Sequence, residues 1–232
     1  MADSEHGIPV VTVDGPSGTG KGTLAQALAE ALGWHFLDSG ALYRVLACGA
    51  STTGIALDDE GALGRFARDM EVAFSKQFPG SITLGNEEIS SRVRLEETGA
   101  LASRVAAFPL VREALLGRQR AFRTAPGLVA DGRDMGTVVF PDSPCKLFLT
   151  ARPETRAERR YKQLINKGVD VNLRDLLLDI RARDERDSTR AVAPLVPAAD
   201  AVIVDTDDLP AAAVYARAMQ ELQRRGLVPG AA

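Results

Sequence analysis

Histidine is almost missing from this chain: there are two in 232 residues, His6 in a polar N-terminal stretch and His35 in "GWHFLD". A mechanism built on a histidine base, or a histidine-rich metal site, is therefore disfavoured. Cysteine is equally scarce. Cys48 and Cys145 stand far apart and outside any metal-ligand spacing, which excludes a disulfide framework and fits reduced thiols in a cytoplasm. No apolar run approaches the ~20 residues needed to span a membrane. The opening "MADSEHG" is polar and acidic and reads as no secretory signal. An excess of basic charge is lacking too. Lys and Arg total 28 against 31 Asp and Glu, a formal net charge of −3. That balance argues against general nucleic-acid or membrane-surface binding, although a local basic cleft would escape the count.

What is present is an ordinary globular composition, 45% hydrophobic and 25% charged, on a chain long enough for one sizeable α/β domain or two small ones. Residues 8–13, "WHFLD", "LVA" at 128–130, "CKLFLT" at 145–150 and "AVIVD" at 201–205 are short runs that are apolar without alternation. Such runs predict strands covered on both faces, hence a parallel sheet. Helical patterns lie between them: Thr23–Leu32 closed by Gly33, "ALYRVLACGA", "PLVREALLGRQRAFR", "PETRAERRYKQLINKG" and "LRDLLLDIRARDERD". The alternation predicts an α/β fold of doubly wound type. One region departs from it. "MEVAFSKQFPGSITLGNEEISSRVR" has period two, and Gly85-Asn86 is a two-residue hairpin signal, so a small antiparallel insertion is expected around 68–94.

"VVTVDGPSGTGKGT" places G-x-x-x-x-G-K, Gly15 to Lys21, directly after a strand and at the start of a helix, the context a phosphate-binding P-loop requires. Polyphosphate oxygens take hydrogen bonds from successive backbone N–H groups, and glycine removes the Cβ atoms that would block their approach. The helix N-terminus adds unsatisfied donors and positive dipole, and Lys21 adds a point charge. The hydroxyl of the plain pattern is displaced by one residue, from Gly22 to Thr23, which leaves the magnesium ligands open. A switch-type GTPase would carry N-K-x-D to read its base. The nearest match, "NKGVD" at 166–170, has one residue too many.

Arginine recurs where one nucleotide would not need it. "DSGALYR" puts Arg44 after a strand-to-helix junction, and "ADGRDMG" puts Asp131, Arg133 and Asp134 at a strand's C-terminal edge, where open α/β sheets bind ligands. Arg183, Asp187 and Arg190 fall at i, i+4 and i+7 of one expected helix face, and Arg156, Arg159 and Arg160 share another. Any one cluster alone reads more simply as a solvated face. Together with a P-loop they suggest a second phosphate-bearing substrate, because the arginine fork binds phosphate oxygens bidentately and keeps its charge. A phosphate monoester has its second pKa near ~6, so it is already largely anionic at neutral pH and needs no base.

"VDGPSGTGKGTLA", "LDSGALYR", "VAAFPLVREALL", "ADGRDMGTVVFPD" and "RDERDSTRAVAPLVPAADA" together resemble bacterial cytidylate kinases, of the nucleoside monophosphate kinase superfamily. The resemblance implies a P-loop-type parallel sheet flanked by helices, one kinase domain over 7–228, an inserted monophosphate-binding subdomain at 68–98 and a helical lid at 152–172. It implies transfer from ATP, assisted by Mg²⁺, to CMP or dCMP. ATP would lie on Gly15, Pro16, Ser17, Gly18, Thr19, Gly20, Lys21, Gly22 and Thr23. The acceptor phosphate would lie on Arg44, Arg133 and Arg190, near Ser39 and Tyr43. Ser103, Arg112 and Asp134 would read cytosine, and Arg183 with Asp187 the ribose. Lys21, Arg133, Arg159 and Arg190 would act on the transferring group, with Arg156, Arg159 and Arg160 carried by the lid. Small-molecule nucleotides are the only partners it implies, without nucleic acid or membrane, for a monomeric cytoplasmic enzyme. Two rival readings are a kinase of the same scaffold with UMP or AMP as acceptor and a nucleotide-binding switch.

Overall fold

Five apolar segments pair as one parallel sheet in the computed structural model, which describes residues 7–74 and 81–228. The strands are β1 (Val10–Asp14), β2 (His35–Asp38), β6 (Leu128–Gly132), β7 (Cys145–Thr150) and β8 (Val202–Asp205), in the order β2-β6-β1-β7-β8. Val10, Val11, Val13, Leu128, Val129 and Leu149 have no exposed surface, as their uninterrupted apolar pattern requires. The sheet belongs to a first compact unit, made of the chain up to Asp38 and from Arg120 onward.

Four helices of this unit are α1 (Lys21–Leu32), α7 (Pro153–Ile165), α8 (Leu173–Thr189) and α9 (Ala211–Arg224). Leu24 and Leu28 of α1 and Val214, Ala218 and Leu222 of α9 pack with Val11, Val13, Leu147, Leu149 and Val204 in one apolar cluster. Each fully buried leucine- or valine-sized side chain contributes about 1.5–3 kcal/mol relative to exposure. Gly33, at φ 64, ends α1 and donates its N–H back to Ala29 and Glu30. Parallel register aligns the strand ends: Asp14 stands opposite Gly132, Asp38 opposite Asp131, and Thr150 opposite Asp205. Carboxylates therefore gather at the sheet's C-terminal edge.

The second compact unit is Ser39–Gln119. It holds α2 (Ser39–Thr53), α3 (Glu60–Asp69), the strands β3 (Val72–Phe74), β4 (Ile82–Leu84) and β5 (Glu87–Glu88), then α4 (Ser90–Val93), α5 (Glu96–Val105) and all but the last residue of α6 (Pro109–Arg120). The three strands form the expected antiparallel sheet, and Gly85-Asn86 makes the two-residue turn between Leu84 and Glu87. Residues 75–80 of the alternating stretch lie outside the described residues. The inserted segment read at 68–98 lies within this longer unit.

Two local expectations are corrected. The expected strand-to-helix junction in "DSGALYR" has no intervening turn: Asp38 ends β2 and Ser39 opens α2. Arg190 does not share a helix face with Arg183 and Asp187. The helix ends at Thr189, and Arg190 has extended backbone (φ −61, ψ 140) because the chain folds back there, Leu195 donating its N–H to the Asp187 carbonyl. Cys48 and Cys145 are both buried and unpaired, and burial pushes the Cys145 thiol up to about 12. Among the described residues no helix is long and apolar enough to cross a membrane.

Candidate active site

The glycine loop joins β1 to α1 as the sequence predicts. Gly15, Gly18 and Gly20 have φ of 145, 82 and 89. A Cβ on Gly15 would stand 2.2 Å from the Leu149 carbonyl oxygen, so that position admits glycine alone. Gly20 precedes α1, and the helix has neither a side-chain cap nor an acidic residue in its first turn. Its leading N–H groups are thus left for an anion. Thr19 donates its hydroxyl to the Pro16 carbonyl at 3.0 Å, and Lys21 donates Nζ to the same oxygen at 3.2 Å.

Lys21 is only 8% exposed and lies 4.0 Å from the Asp131 carboxylate at the end of β6. Burial lowers the ammonium's pKa, Arg133 lowers it further, and Asp131 opposes both. Burial likewise raises the Asp131 carboxyl, against the pull of Lys21. In the nucleotide-free protein, kcat/KM for ATP should consequently fall with rising pH well below the ordinary lysine range of about 10.4, as Lys21 loses its proton. The corresponding limb in kcat should sit higher, because bound phosphates favour the ammonium. A pH–rate series on wild type and Lys21→Arg checks this, since the arginine enzyme should lack the limb.

Gly22 explains the displaced hydroxyl. A Cβ there would meet Asp131 Oδ2 at 3.1 Å, so the carboxylate occupies the space that a side chain would need. Asp131 Oδ1 is buried without a hydrogen-bond partner among the described residues.

Beyond β6, Arg133 donates Nε to Asp187 Oδ2 at 3.1 Å and Nη1 to the Gly132 carbonyl, while Arg183 lies 3.8 Å from the same Asp187 oxygen. Asp134 is buried, with Arg190 Nη2 at 4.0 Å from its Oδ1. Arg190 also donates Nε to the Ala193 carbonyl. Arg133, Asp134, Arg183, Asp187 and Arg190 are thus gathered by the end of β6 and the end of α8. The Asp14 carboxyl lies behind them, and burial pushes it up to about 7 although it accepts two backbone N–H groups.

The three arginines of α7 do not act alike. Arg156 is 2% exposed, and its guanidinium spans both Asp184 oxygens, the Ser17 carbonyl of the glycine loop and the Ala151 carbonyl. Gly18 accommodates its stem, where a Cβ would stand 3.0 Å away. Arg159 reaches the hydroxyl and carbonyl of Thr206 after β8, and Arg160 donates to Gln163.

In the second unit, α2 and α5 pack together and carry Ser39, Tyr43, Arg44 and Ser103, while α6 carries Arg112. Ser39, Tyr43 and Ser103 are buried, and the Arg112 guanidinium lies 5.8 Å from the centre of the Tyr43 ring while donating to the Ala106 carbonyl. Arg44 donates to the Val93 and Leu95 carbonyls and lies flat against Gly99, where a Cβ would stand 2.9 Å from both terminal nitrogens.

A model of the family described as cytidylate kinase matches residues 11–224 of this chain. The chain belongs to the cytidylate kinase family. The cytidylate kinase of Pseudomonas entomophila is 58% identical over 223 residues, covering 95% of this chain and 98% of that protein. That of Aeromonas salmonicida is 58% identical over 221 residues, covering 92% and 95%. The crystal structure of a gluconokinase from Sinorhizobium meliloti aligns with 94% of this chain and 92% of its own, at a TM-score of 0.47 and 18% identity.

In this cytidylate kinase family member, four residues that partner or adjoin the side chains just described fall outside the sequence-predicted set. The sequence marks Asp131 only as an edge carboxylate; Asp184 holds Arg156, Thr206 holds Arg159, and Gly99 backs Arg44. Asp131 had a signal in the missing hydroxyl at position 22. The others had none, because each acts through a partner distant in the chain.

Proposed function

We propose that the protein transfers the γ-phosphoryl group of ATP to the phosphate of CMP or dCMP, giving ADP and the diphosphate. The observation that carries this reading is the grouping of Arg133 and Arg190 with Asp134 on the sheet edge that also bears the glycine loop and Lys21. The acceptor oxygen is already largely anionic at neutral pH, so the obstacle to reaction is repulsion between two anions and not the lack of a base. Fixed guanidinium groups remove that repulsion and stabilise the charge spread over the transferring group. Lys21 and the α1 N–H groups hold the donor phosphates. Arg44, Arg133 and Arg190 hold the acceptor phosphate, near Ser39 and Tyr43. Asp134 accepts from the cytosine amine, Ser103 and Arg112 complete the base contacts, and Arg183 and Asp187 meet the ribose. Uracil turns a carbonyl toward Asp134, opposing two acceptors.

The buried Asp131 Oδ1, 4.0 Å from Lys21 and without a hydrogen bond among the described residues, suits a hard cation, which takes oxygen ligands. Asp131 would hold Mg²⁺, which when bound neutralises charge between the phosphates. Residues 152–172 serve as the lid, with Arg159 exchanging Thr206 for the transferring group and closure excluding water.

An acceptor screen on the purified protein tests the reading. CMP and dCMP should support rapid ADP release, with UMP and AMP well behind; UMP or AMP equal to CMP would overturn it. Gly99→Ala provides a finer check. Alanine stabilises a helix interior by up to about 1 kcal/mol relative to glycine, so α5 should not suffer. The displaced Arg44 fork should still raise the acceptor KM about fivefold or more while the ATP KM stays unchanged. Initial-rate kinetics with each substrate varied in turn, beside a melting curve, measure both.

A further inference from the structure

Asp14 ends β1, is 5% exposed, and accepts hydrogen bonds from two consecutive backbone N–H groups, Met135 to Oδ1 at 2.9 Å and Gly136 to Oδ2 at 2.8 Å. Those groups open a single wide helical turn, Met135–Val139, in which Phe140 bonds back to Met135. Asp134 occupies the capping position of that turn. An aspartate there ordinarily folds its carboxylate onto the N–H of the second or third residue. Here it makes no such bond, its backbone stands at φ −145 and ψ 23, and its carboxylate lies beside Arg190.

We propose that Asp14 caps this turn in place of Asp134 and thereby holds the Asp134 carboxylate on the acceptor edge, which makes Asp14 a positioning residue for base selection. The inference rests on the reading of Asp134 as the group that meets the acceptor's base. Two features make the arrangement specific. A carboxylate offers two acceptors to adjacent N–H groups, whereas an amide offers one and turns a donor toward the other. The turn also has nowhere to shift for another partner, because Gly136 is pressed on the sheet: a Cβ there would stand 2.9 Å from Thr12 Oγ1 and 3.1 Å from Lys146 Cδ. Without Asp14, Asp134 stands at the capping position from which a carboxylate reaches Gly136, the second residue of the turn, and capping would draw it off the acceptor edge. Asp14 also continues directly into Gly15, so one side chain ties the donor loop to the segment that selects the acceptor.

A cycle of wild type, Asp14→Asn, Asp134→Ala and the double variant tests this, with kcat/KM measured for CMP and UMP. Asp14→Asn should lower the preference for CMP over UMP about tenfold, the effect of weakening a charged hydrogen bond, with the ATP KM within about twofold. On the Asp134→Ala background the same change should leave the preference unaltered, since the group it positions is gone. Equal loss toward CMP and UMP from Asp14→Asn, or a full further loss of preference in the double variant, would overturn the proposal. Asp134→Ala with wild-type preference would instead overturn the base reading on which it rests. Amide exchange would then report on the capping alone: Gly136 should exchange faster in Asp14→Asn, and unchanged protection would contradict the cap. Should circular dichroism show Asp14→Asn unfolded, Asp14→Ser, smaller and with one acceptor, carries the same cycle.

Discussion

Lys21→Ala should lower turnover by about 10²–10³-fold, the loss seen when a preorganised group on developing charge is removed. The acceptor KM should change little. Lys21 is buried beside Asp131 and within the field of Arg133, so its charge is screened less than it would be in bulk water. Alanine leaves the loop glycines and the α1 N–H groups in place, and part of the ATP affinity should therefore survive. Steady-state kinetics separate the two effects, because a group acting mainly in the transition state lowers kcat more than it raises KM. Turnover near wild type would contradict the P-loop assignment.

Asp134→Ala should reduce kcat/KM for CMP by about 10²-fold, in the range for losing a buried charged hydrogen bond to a substrate, and should flatten the preference over UMP. The ATP KM should stay nearly constant. Arg190, 4.0 Å from Asp134, loses a neighbouring charge in this variant, so a part of the loss will fall on every phosphate acceptor alike. Asp134→Asn separates the contributions: it retains shape while removing the charge. A carboxylate that served only the strand edge would show equal damage with ATP and CMP as varied substrate.

The parallel sheet was legible because burial on both faces forces an uninterrupted apolar run, and β1, β6 and β7 display one. The glycine loop was legible for a comparable reason, since close approach of backbone to Leu149 at Gly15 leaves one residue type possible. The roles within the arginine clusters were not. Arg156, Arg159 and Arg160 share helical spacing, yet one is buried across Asp184 and another spans to Thr206. Spacing specifies a common face and says nothing of which partner the rest of the fold brings to it. Arg190 shows the converse: periodicity continued the helix through it, whereas the chain's return toward Leu195 stops α8 at Thr189. Asp14 follows the apolar run at 8–13, and nothing near it in the sequence points to the Met135 and Gly136 N–H groups it accepts from, 121 and 122 positions along the chain.

The most direct measurement follows the label from ATP marked in its γ-phosphoryl group, with CMP or cytidine as acceptor. Paired anionic substrates held by fixed cations predict that label appears in CDP in step with ADP, that cytidine takes none, and that little is lost as inorganic phosphate. Label recovered mainly as inorganic phosphate, or passed to cytidine as readily as to CMP, would contradict transfer from phosphate to phosphate.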